Sequence, residues 1–404
     1  MKNKLVTCLI LVMCAALMFT ACAVTPTNEA PSTETDQPVE KTAEAIAEAV
    51  ATPSGESFTI GCVMVSPDST TTISLIDNVN NVIENMGGKV QWEDNWDYSP
   101  DGLITSVEKL ITAGADGIML FPPSDSVLPK IMQMCEDAGV YWAIFFRSIN
   151  DEEVRNMVLN SKYYVGNIYE DEETAGYNMG VKLGEHGAKK VAIISTTKGD
   201  TTGDTREIGF SKACEEYGIE VVAEARALLQ ASDVTKAVES FIASYPDLDG
   251  IAILATLGTT IPPAAQAIKD ADKVGQIVIT CNDFTDNDAM LAALNDGILL
   301  SIAGGHLPYD PPLAAAMLYN TVQGTPLSES KMSIQVSFLY ADSAGVIEDY
   351  LKYVEGDTML YTPEEVSSML NKATNANLTE ADLQKIAADY TMDSIKARRG
   401  DTAE

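Results

Sequence analysis

Histidine and basic residues are scarce in this sequence. The 404 residues include two histidines, and 26 Lys and Arg stand against 59 Asp and Glu, which gives a formal net charge of −33 at pH 7. The acidic residues are spread along the chain, so the surface repels a nucleic-acid backbone or an anionic membrane. The composition therefore argues against a nucleic-acid partner and favours a soluble body.

Sequence motifs of common catalytic centres are also missing. His186 and His306 lie far apart and form no H-E-x-x-H metal motif. The G-x-S-x-G, G-K-[S/T] and G-x-G-x-x-G patterns of hydrolases, phosphate loops and dinucleotide folds do not occur. We therefore expect no enzyme activity, no metal and no cofactor. The abundant carboxylates leave one alternative open, a glycosidase with two paired acids, although the sequence marks no pair.

Cysteine spacing gives no sign of a redox or metal site. The four cysteines of the body lie in apolar strand or helix patterns and none has C-x-x-C spacing; they are Cys62, Cys135, Cys214 and Cys281. This pattern favours buried free thiols. Whether they pair stays open, because an exported protein can form disulfides.

The N-terminus has the pattern of an export signal. Lys2 and Lys4 precede an apolar run at residues 5–19, and small residues then lead to Cys22. The apolar run is too short for a comfortable membrane span. Residues 19–22 resemble the lipobox of bacterial lipoproteins, with Phe19 where that motif usually has Leu. The resemblance implies cleavage before a lipidated Cys22 and anchorage at the outer face of the cell membrane; an ordinary signal peptide is the alternative.

Residues 23–57 are predicted to be a flexible tether. They are rich in Pro, Thr, Glu and Ala and contain few large apolar side chains, so they bury little surface. The chain beyond them is long enough, and apolar enough at 46% overall, for two domains.

From residue 58 onward, short β-branched runs alternate with amphipathic stretches. This alternation predicts parallel sheets with crossover helices, and it restarts after residue 165, which indicates two similar α/β units. Ligands of such sheets bind beyond the carboxyl ends of the strands. The loops at those positions are rich in hydroxyls, amides and isolated charges, as suits hydrogen bonding to a polyol; they are residues 66–72, 122–125, 146–147, 196–204, 255–258 and 282–283.

The order of several short motifs resembles the type I periplasmic binding proteins, the ribose-binding group in particular, over about residues 58–339. The motifs are the opening strand with its polar loop, I-T-A-G-A-D-G-I at 111–118, R-x-x-G-F at 206–210, Y-P-D-L-D-G-I at 245–251, the strand that ends in Asn282-Asp283, N-D-G at 295–297 and H-L-P at 306–308. Each motif is weak alone, and their shared order makes the resemblance strong.

The resemblance implies two Rossmann-like lobes joined by a three-segment hinge. The expected crossings lie near residues 165–167, 301–306 and 334–339. Lobe 1 then comprises residues 58–165 and 304–334, and lobe 2 comprises residues 166–303 and 335–345. A ligand closes such a hinge by contacting both lobes at once.

The family's ligand positions map onto ten residues here. They are Ser69, Thr71, Thr72, Phe146, Arg147, Arg206, Thr256, Asn282, Asp283 and His306. For the family's lobe 2 Asn, Ala255 is the alternative to Thr256. Ser69, Thr71 and Thr72 stand where the ribose group has an Asn and two aromatics, so the aromatic sandwich around the sugar is absent.

Three of these positions, Phe146, Arg147 and Arg206, allow a structural reading beside the functional one. Phe146 replaces an Asp and either provides an apolar face for a sugar or belongs to the core. Arg147 and Arg206 suit hydroxyls and carboxylates but could instead pair with acids at the surface. His306 takes the place of a hinge Gln. Tyr98 is expected only at the rim of the cleft.

By this resemblance, the chain is an extracytoplasmic solute-binding lipoprotein. It would capture a small solute and deliver it to an ABC permease. The solute is a sugar, sugar acid, polyol or nucleoside-like molecule, with a sugar favoured, and we expect a monomer. A receptor that presents its closed form to a membrane sensor is the alternative, and an enzyme is third.

Residues 346–404 form a predicted helical extension beyond the usual end of the family. Thr362, Pro363 and Glu365 have the spacing of a helix start with a capping box, and Thr379 begins a second such pattern. We expect two short helices packed on a lobe.

Overall fold

The computed structural model describes residues 57–64, 70–95, 98–255, 259–282, 284, 287–355 and 359–400. The strands are β1 (Thr59–Met64), β2 (Lys89–Asp94), β3 (Gly117–Leu120), β4 (Tyr141–Ile144), β5 (Tyr164–Glu170), β6 (Lys190–Ser195), β7 (Glu220–Arg226), β8 (Gly250–Ile253), β9 (Val278–Asn282), β10 (Leu299–Gly304), β11 (Met332–Val336) and β12 (Leu339–Ala341). The helices are α1 (Thr70–Asn85), α2 (Pro100–Thr112), α3 (Leu128–Ala138), α4 (Glu152–Leu159), α5 (Glu172–His186), α6 (Thr201–Tyr217), α7 (Ala231–Ser244), α8 (Ile261–Asp270), α9 (Asn287–Asn295), α10 (Asp310–Val322), α11 (Ala344–Tyr353), α12 (Pro363–Glu365), α13 (Glu380–Ala388) and α14 (Met392–Arg398). Residues Val366–Leu370 continue α12 as a π-helical turn.

The strands form two six-stranded sheets, and the strands of the second sheet are arranged in an order equivalent to that of the first. The first sheet runs β11-β5-β4-β3-β1-β2 and the second runs β12-β10-β9-β8-β6-β7. All pairings are parallel except that of β12 with β10. The predicted α/β class with two Rossmann-like lobes is confirmed. In the part of the chain described above, no helix is long and apolar enough to cross a membrane.

The chain passes between the two sheets three times. It leaves the first sheet after β5, returns between β10 and α10, and leaves again between β11 and β12. The first crossing lies later than expected, because residues 166–170 remain in the first sheet and pair with β11. Lobe 1 therefore extends past residue 165 to Glu170. The reason is a pairing between segments more than 160 residues apart, which a local pattern does not reveal.

Apolar side chains fill the space between each sheet and its helices. Ile60, Ile118 and Trp142 in the first sheet, and Ile251 and Ile279 in the second, are fully buried. Three of the body cysteines, Cys62, Cys135 and Cys214, are buried free thiols, and Cys281 is buried as well. Burial raises the pKa of the Cys214 thiol to about 11, so this thiol is protonated and unreactive at neutral pH.

Helices α5 and α6 approach so closely that their contact requires glycine. A Cβ atom at Gly209 would lie 1.8 Å from the carbonyl oxygen of Glu173, and one at Gly176 would lie 1.9 Å from that of Arg206. Backbone atoms cannot move aside as a flexible side chain does, so both positions exclude a larger residue. The glycine of the R-x-x-G-F motif thus sets the distance between the two helices.

The C-terminal segment, residues 344–398, contacts both lobes. In lobe 1, Asn78 on α1 accepts a hydrogen bond from the backbone of Leu360 at 2.7 Å. Near the second crossing, Tyr309 donates to the carbonyl of Ile386 at 2.7 Å. In lobe 2, Phe284 stacks on Tyr350 with ring centroids 3.9 Å apart. The segment from Leu360 onward, which holds the two expected short helices, thus contacts lobe 1 and the second crossing, and the contact with lobe 2 comes from α11.

Both helix starts predicted in this segment are present. Thr362 and Glu365 form a capping box, with the Thr362 amide donating to the Glu365 carboxylate at 2.8 Å. The Thr379 amide donates to Asp382 at 2.9 Å at the start of α13. The capping patterns were therefore interpreted correctly from sequence.

Substitution of Gly209 by Ala is expected to lower the free energy of unfolding by about 1–3 kcal/mol, because the added methyl overpacks the α5–α6 contact. Gly345→Ala in α11 is the matched control, since no atom lies within 4 Å of its Cβ position. That control should gain up to about 1 kcal/mol from helix propensity. Urea unfolding followed by circular dichroism measures both; equal effects would contradict the close approach.

Candidate functional site

Both sheets present the carboxyl ends of their parallel strands to a shared cleft. In lobe 1 these ends lead into Tyr98, the Phe146-Arg147 pair and Glu170. In lobe 2 they lead into the loop at residues 195–200 and to Asn282. Such an edge is where open α/β sheets bind their ligands. The contacts described below join the two lobes there.

Arg206 forms a buried ion pair in lobe 2. Its Nε lies 2.5 Å from Oε2 of Glu172, and its Nη1 donates to the carbonyl of Leu254 at 2.9 Å. The ring of Phe338, from the third crossing, lies 5.6 Å from the guanidinium carbon. Both charged groups are buried. The expected pairing with an acid is present, but the pair lies inside the cleft and not at the surface.

Arg147 joins the two lobes. Its Nη2 donates to the hydroxyl of Tyr98 at 2.6 Å and lies 3.8 Å from Oδ2 of Asp200 in lobe 2. The Tyr98 hydroxyl is itself 3.3 Å from the same carboxylate oxygen. Burial lowers the pKa of Arg147, but the oxygens of Tyr98, Asp200 and Glu172 raise it by more, so the guanidinium stays charged.

Two further titratable groups lie at the crossings. Nε2 of His306 is 3.5 Å from Oε1 of Glu170, and both side chains are buried. Burial, together with Arg206 and Arg147, holds the pKa of His306 well below its usual range, so its imidazole is neutral. Burial also raises the pKa of Glu170 well above its usual range, and the carboxyl of Asp310 reinforces this. We call Arg147, Arg206, Glu170, Glu172 and His306 the interlobe cluster.

Phe146 and Asn282 border the interlobe cluster. The Phe146 ring packs edge-on against His306 with centroids 5.3 Å apart, and it is almost fully buried. Its φ of 61° is unusual for a residue with a side chain and turns the chain so that Arg147 enters the cleft. Asn282 donates to the carbonyl of Ala303 at 2.9 Å. Five of the expected site residues, Phe146, Arg147, Arg206, Asn282 and His306, thus lie at the cleft.

The other expected residues are described in part or not at all. Ser69, Thr256, Asp283 and the lipidation site Cys22 lie outside the described residues, as do the signal at 1–22 and the tether up to residue 56. Thr71 is within α1, but its side chain is outside the description. Thr72 is buried in the first turn of α1.

A cavity of about 400 Å³ lies between the lobes beside the interlobe cluster. Its walls come from the loops after β2 and β3 in lobe 1 and after β6, β7 and β8 in lobe 2. Tyr98 and Asp200 belong both to the cavity wall and to the contacts of Arg147. Within the described ranges, no three His, Cys, Asp or Glu side chains are arranged to hold a metal ion.

A family profile described as "periplasmic binding protein domain" matches residues 60–326, about two thirds of the sequence. The chain belongs to this family. The resemblance to type I periplasmic binding proteins is thereby confirmed. No curated protein matches this periplasmic binding protein significantly in sequence.

Many solved structures share the fold of this periplasmic binding protein. An ABC transporter periplasmic solute binding protein from Actinobacillus succinogenes with bound D-allose is 19% identical, with a TM-score of 0.63 over 73% of this chain and 100% of its own. One from Bacillus halodurans with bound myo-inositol is 17% identical, with a TM-score of 0.62 over 74% and 99%. A third, from Burkholderia graminis in complex with D-arabinose, is 19% identical, with a TM-score of 0.61 over 73% and 96%.

Three carboxylates of the cleft were not singled out by the sequence reasoning. Asp200 caps α6 by accepting from Gly203 through Oδ1, and only its Oδ2 faces Arg147. Glu172 lies in the acidic first turn of α5, and Glu170 ends β5. Such acids look like ordinary helix-start residues in a sequence. Tyr98, expected at the rim, reaches into the cleft; its φ of 48° could not be inferred from sequence.

The raised pKa of Glu170 makes a testable contribution to stability. Because the folded protein holds this proton more tightly than the unfolded chain, stability falls as pH rises from about 4.3 through the folded pKa. Glu170→Gln removes this titration. We therefore expect the free energy of unfolding of the variant to fall less steeply with pH than that of wild type within that window.

Urea unfolding of both proteins at several values between pH 5 and pH 8 measures the difference. Glu185→Gln, an exposed change on α5, is the control and should stay parallel to wild type. A Glu170→Gln curve that also runs parallel to wild type would show that the buried carboxyl is already ionised.

Proposed function

We propose that this periplasmic binding protein captures a neutral sugar or polyol in the interlobe cleft and delivers it to an ABC-type importer. The convergence of Arg147, Tyr98 and Asp200 from the two lobes carries this proposal, because a ligand that contacts both lobes stabilises the closed form. The solved structures with bound allose, inositol and arabinose support the ligand class.

The ligand contacts that we propose combine the described cleft residues with those expected from the family. They are Phe146, Arg147, Arg206, Asn282 and His306, together with Ser69, Thr71, Thr72, Thr256 and Asp283. Guanidinium forks and amide groups donate to hydroxyl oxygens, carboxylates accept from hydroxyls, and a neutral imidazole does either.

The charge of the cleft supports a neutral ligand over a sugar acid. Arg147 and Arg206 already face the carboxylates of Asp200 and Glu172. The carboxyl of Glu170 lies alongside, and His306 is neutral. Among the residues that the structure describes here, an anionic ligand would therefore meet carboxylates without an unpaired cation to bind, and like charges at close range oppose binding.

A thermal-shift screen followed by calorimetry tests this proposal. The probes are D-allose, D-arabinose, D-galactose, myo-inositol, galacturonate and a set of nucleosides. We expect a neutral sugar or polyol to stabilise the protein, by about 2.7 kcal/mol at a hundred times its Kd. A uronate should bind at least about tenfold more weakly than its parent sugar, a difference of about 1.4 kcal/mol.

An arginine variant and its control test whether the ligand binds at Arg147. Arg147→Lys keeps the positive charge beside Asp200 but loses the planar fork, so it should weaken binding about tenfold or more. Arg155→Lys on α4 is the matched control; this side chain bonds the carbonyl of Ile149 and should leave affinity unchanged. The absence of any stabilising sugar or polyol would overturn the proposed function, and tighter binding of the uronate would overturn the charge argument.

We also propose that Cys22 carries a lipid that holds the protein at the outer face of the cell membrane. The basic and apolar residues before it support this proposal. In a bacterial host, wild type should partition into detergent, and Cys22→Ser should lose that behaviour. Cys14→Ser, within the apolar run, is the control and should behave as wild type. Equal partitioning of wild type and Cys22→Ser would contradict lipidation.

A further inference from the structure

The interlobe cavity extends away from the Arg147 contacts toward the β2 and β7 sides of the two sheets. It opens between the segment from Tyr98 to Pro100 in lobe 1 and the segment from Ala227 to Leu229 in lobe 2. Of the proposed ligand contacts that the structure describes, none lines it. Its volume of about 400 Å³ falls within the range of small-molecule sites, about 300–1,000 Å³. The cavity is therefore additional space beside the proposed sugar contacts.

One part of the lobe 2 wall of this cavity is aliphatic, whereas Thr197, Lys198 and Asp200 belong to its polar part. Ile194, Leu228 and Ala255 come from the ends of three neighbouring strands, β6, β7 and β8. Leu229 at the same wall keeps 53% of its surface exposed. Aliphatic surface of this kind stabilises a bound apolar group, because contact removes that group from water. It does not stabilise a bound hydroxyl.

Two hydroxyls at the cavity lack partners within the described structure. Oγ of Ser195 and Oγ1 of Thr196 are buried and make no hydrogen bond there. Both residues lie on the loop that carries Asp200 to the Arg147 contacts. In the described conformation both hydroxyl oxygens lie against Gly203 and are closed to solvent. The polar residues of the cavity wall therefore lie next to the interlobe cluster, and the aliphatic residues lie beyond them.

Backbone strain occurs on both sides of the same cavity. Tyr98 on the lobe 1 side and Ala227 on the lobe 2 side have φ values of 48° and 55°. This left-handed conformation is unfavourable for a residue with a Cβ atom, which crowds the neighbouring carbonyl oxygen. Strained residues persist where the surrounding structure enforces them, and they concentrate at ligand sites.

We propose that this cavity is a second subsite that binds an apolar substituent attached to the sugar, so that the ligand is a glycoside with an alkyl or aryl aglycone. The proposal rests on the proposed function, because the sugar ring itself occupies the contacts around Arg147 and Arg206. The aglycone would lie against Ile194, Leu228 and Ala255.

Calorimetry with the purified protein tests this assignment. The probes are glucose, galactose and arabinose, each as the free sugar and as the methyl and phenyl glycosides of both anomers. For the sugar that binds, we expect one phenyl glycoside to bind at least tenfold more tightly than the free sugar, with the methyl glycoside between them. This comparison uses wild-type protein, so it does not depend on the folding of a variant.

Leu228→Asn then locates the substituent. It should bring the affinity for the phenyl glycoside down to that for the free sugar and leave the free-sugar Kd within twofold. Leu159→Asn, an exposed leucine on α4, is the matched control and should change neither value.

The outcomes distinguish a failure of the subsite proposal from a failure of the proposed function. Free sugars that bind as tightly as every glycoside, or a phenyl preference that survives in Leu228→Asn, would overturn the subsite while the sugar-binding function stands. If no sugar and no glycoside binds, the proposed function fails and the subsite fails with it.

Discussion

The ion pair between Arg206 and Glu172 constrains much of lobe 2. A guanidinium is buried there at tolerable cost only if a carboxylate faces it closely. That geometry requires α5 and α6 to approach until a Cβ at Gly209 would collide with the backbone of Glu173. The same guanidinium bonds the carbonyl of Leu254 at the end of β8 and contacts Phe338 at the third crossing. One interaction thus fixes two helices, a strand end and a crossing relative to one another.

A comparable arrangement holds Arg147, but it spans the cleft. Its oxygen partners come from Tyr98 in lobe 1 and Asp200 in lobe 2. Separation of the lobes would leave the guanidinium without its carboxylate, and water would then have to replace it. The closed arrangement is therefore partly stabilised by the protein itself, and a ligand adds to an existing attraction between the lobes.

Much of the fold could be predicted from the sequence because its signals are local. The alternation of β-branched and amphipathic segments matched the order of strands and helices, and the Thr362 and Thr379 patterns matched real helix starts. The extent of β5 could not be predicted, since it depends on pairing with a distant strand. In the site, Arg206 stood out through its motif. Asp200 did not, because an acid that caps a helix and also faces an arginine has the same local sequence as one that only caps.

The C-terminal segment affects the free energy of opening the hinge. Tyr390 donates to the carbonyl of Gly305, and Tyr309 donates to Ile386, so these contacts lie at the second crossing, close to where the lobes would rotate. Its contacts with Asn78 and Phe284 lie farther out, one on each lobe. Rotation that opens the cleft must shift the C-terminal segment against at least one lobe. The free energy of opening, and with it the affinity for any ligand, therefore includes a contribution from residues that the ligand never touches.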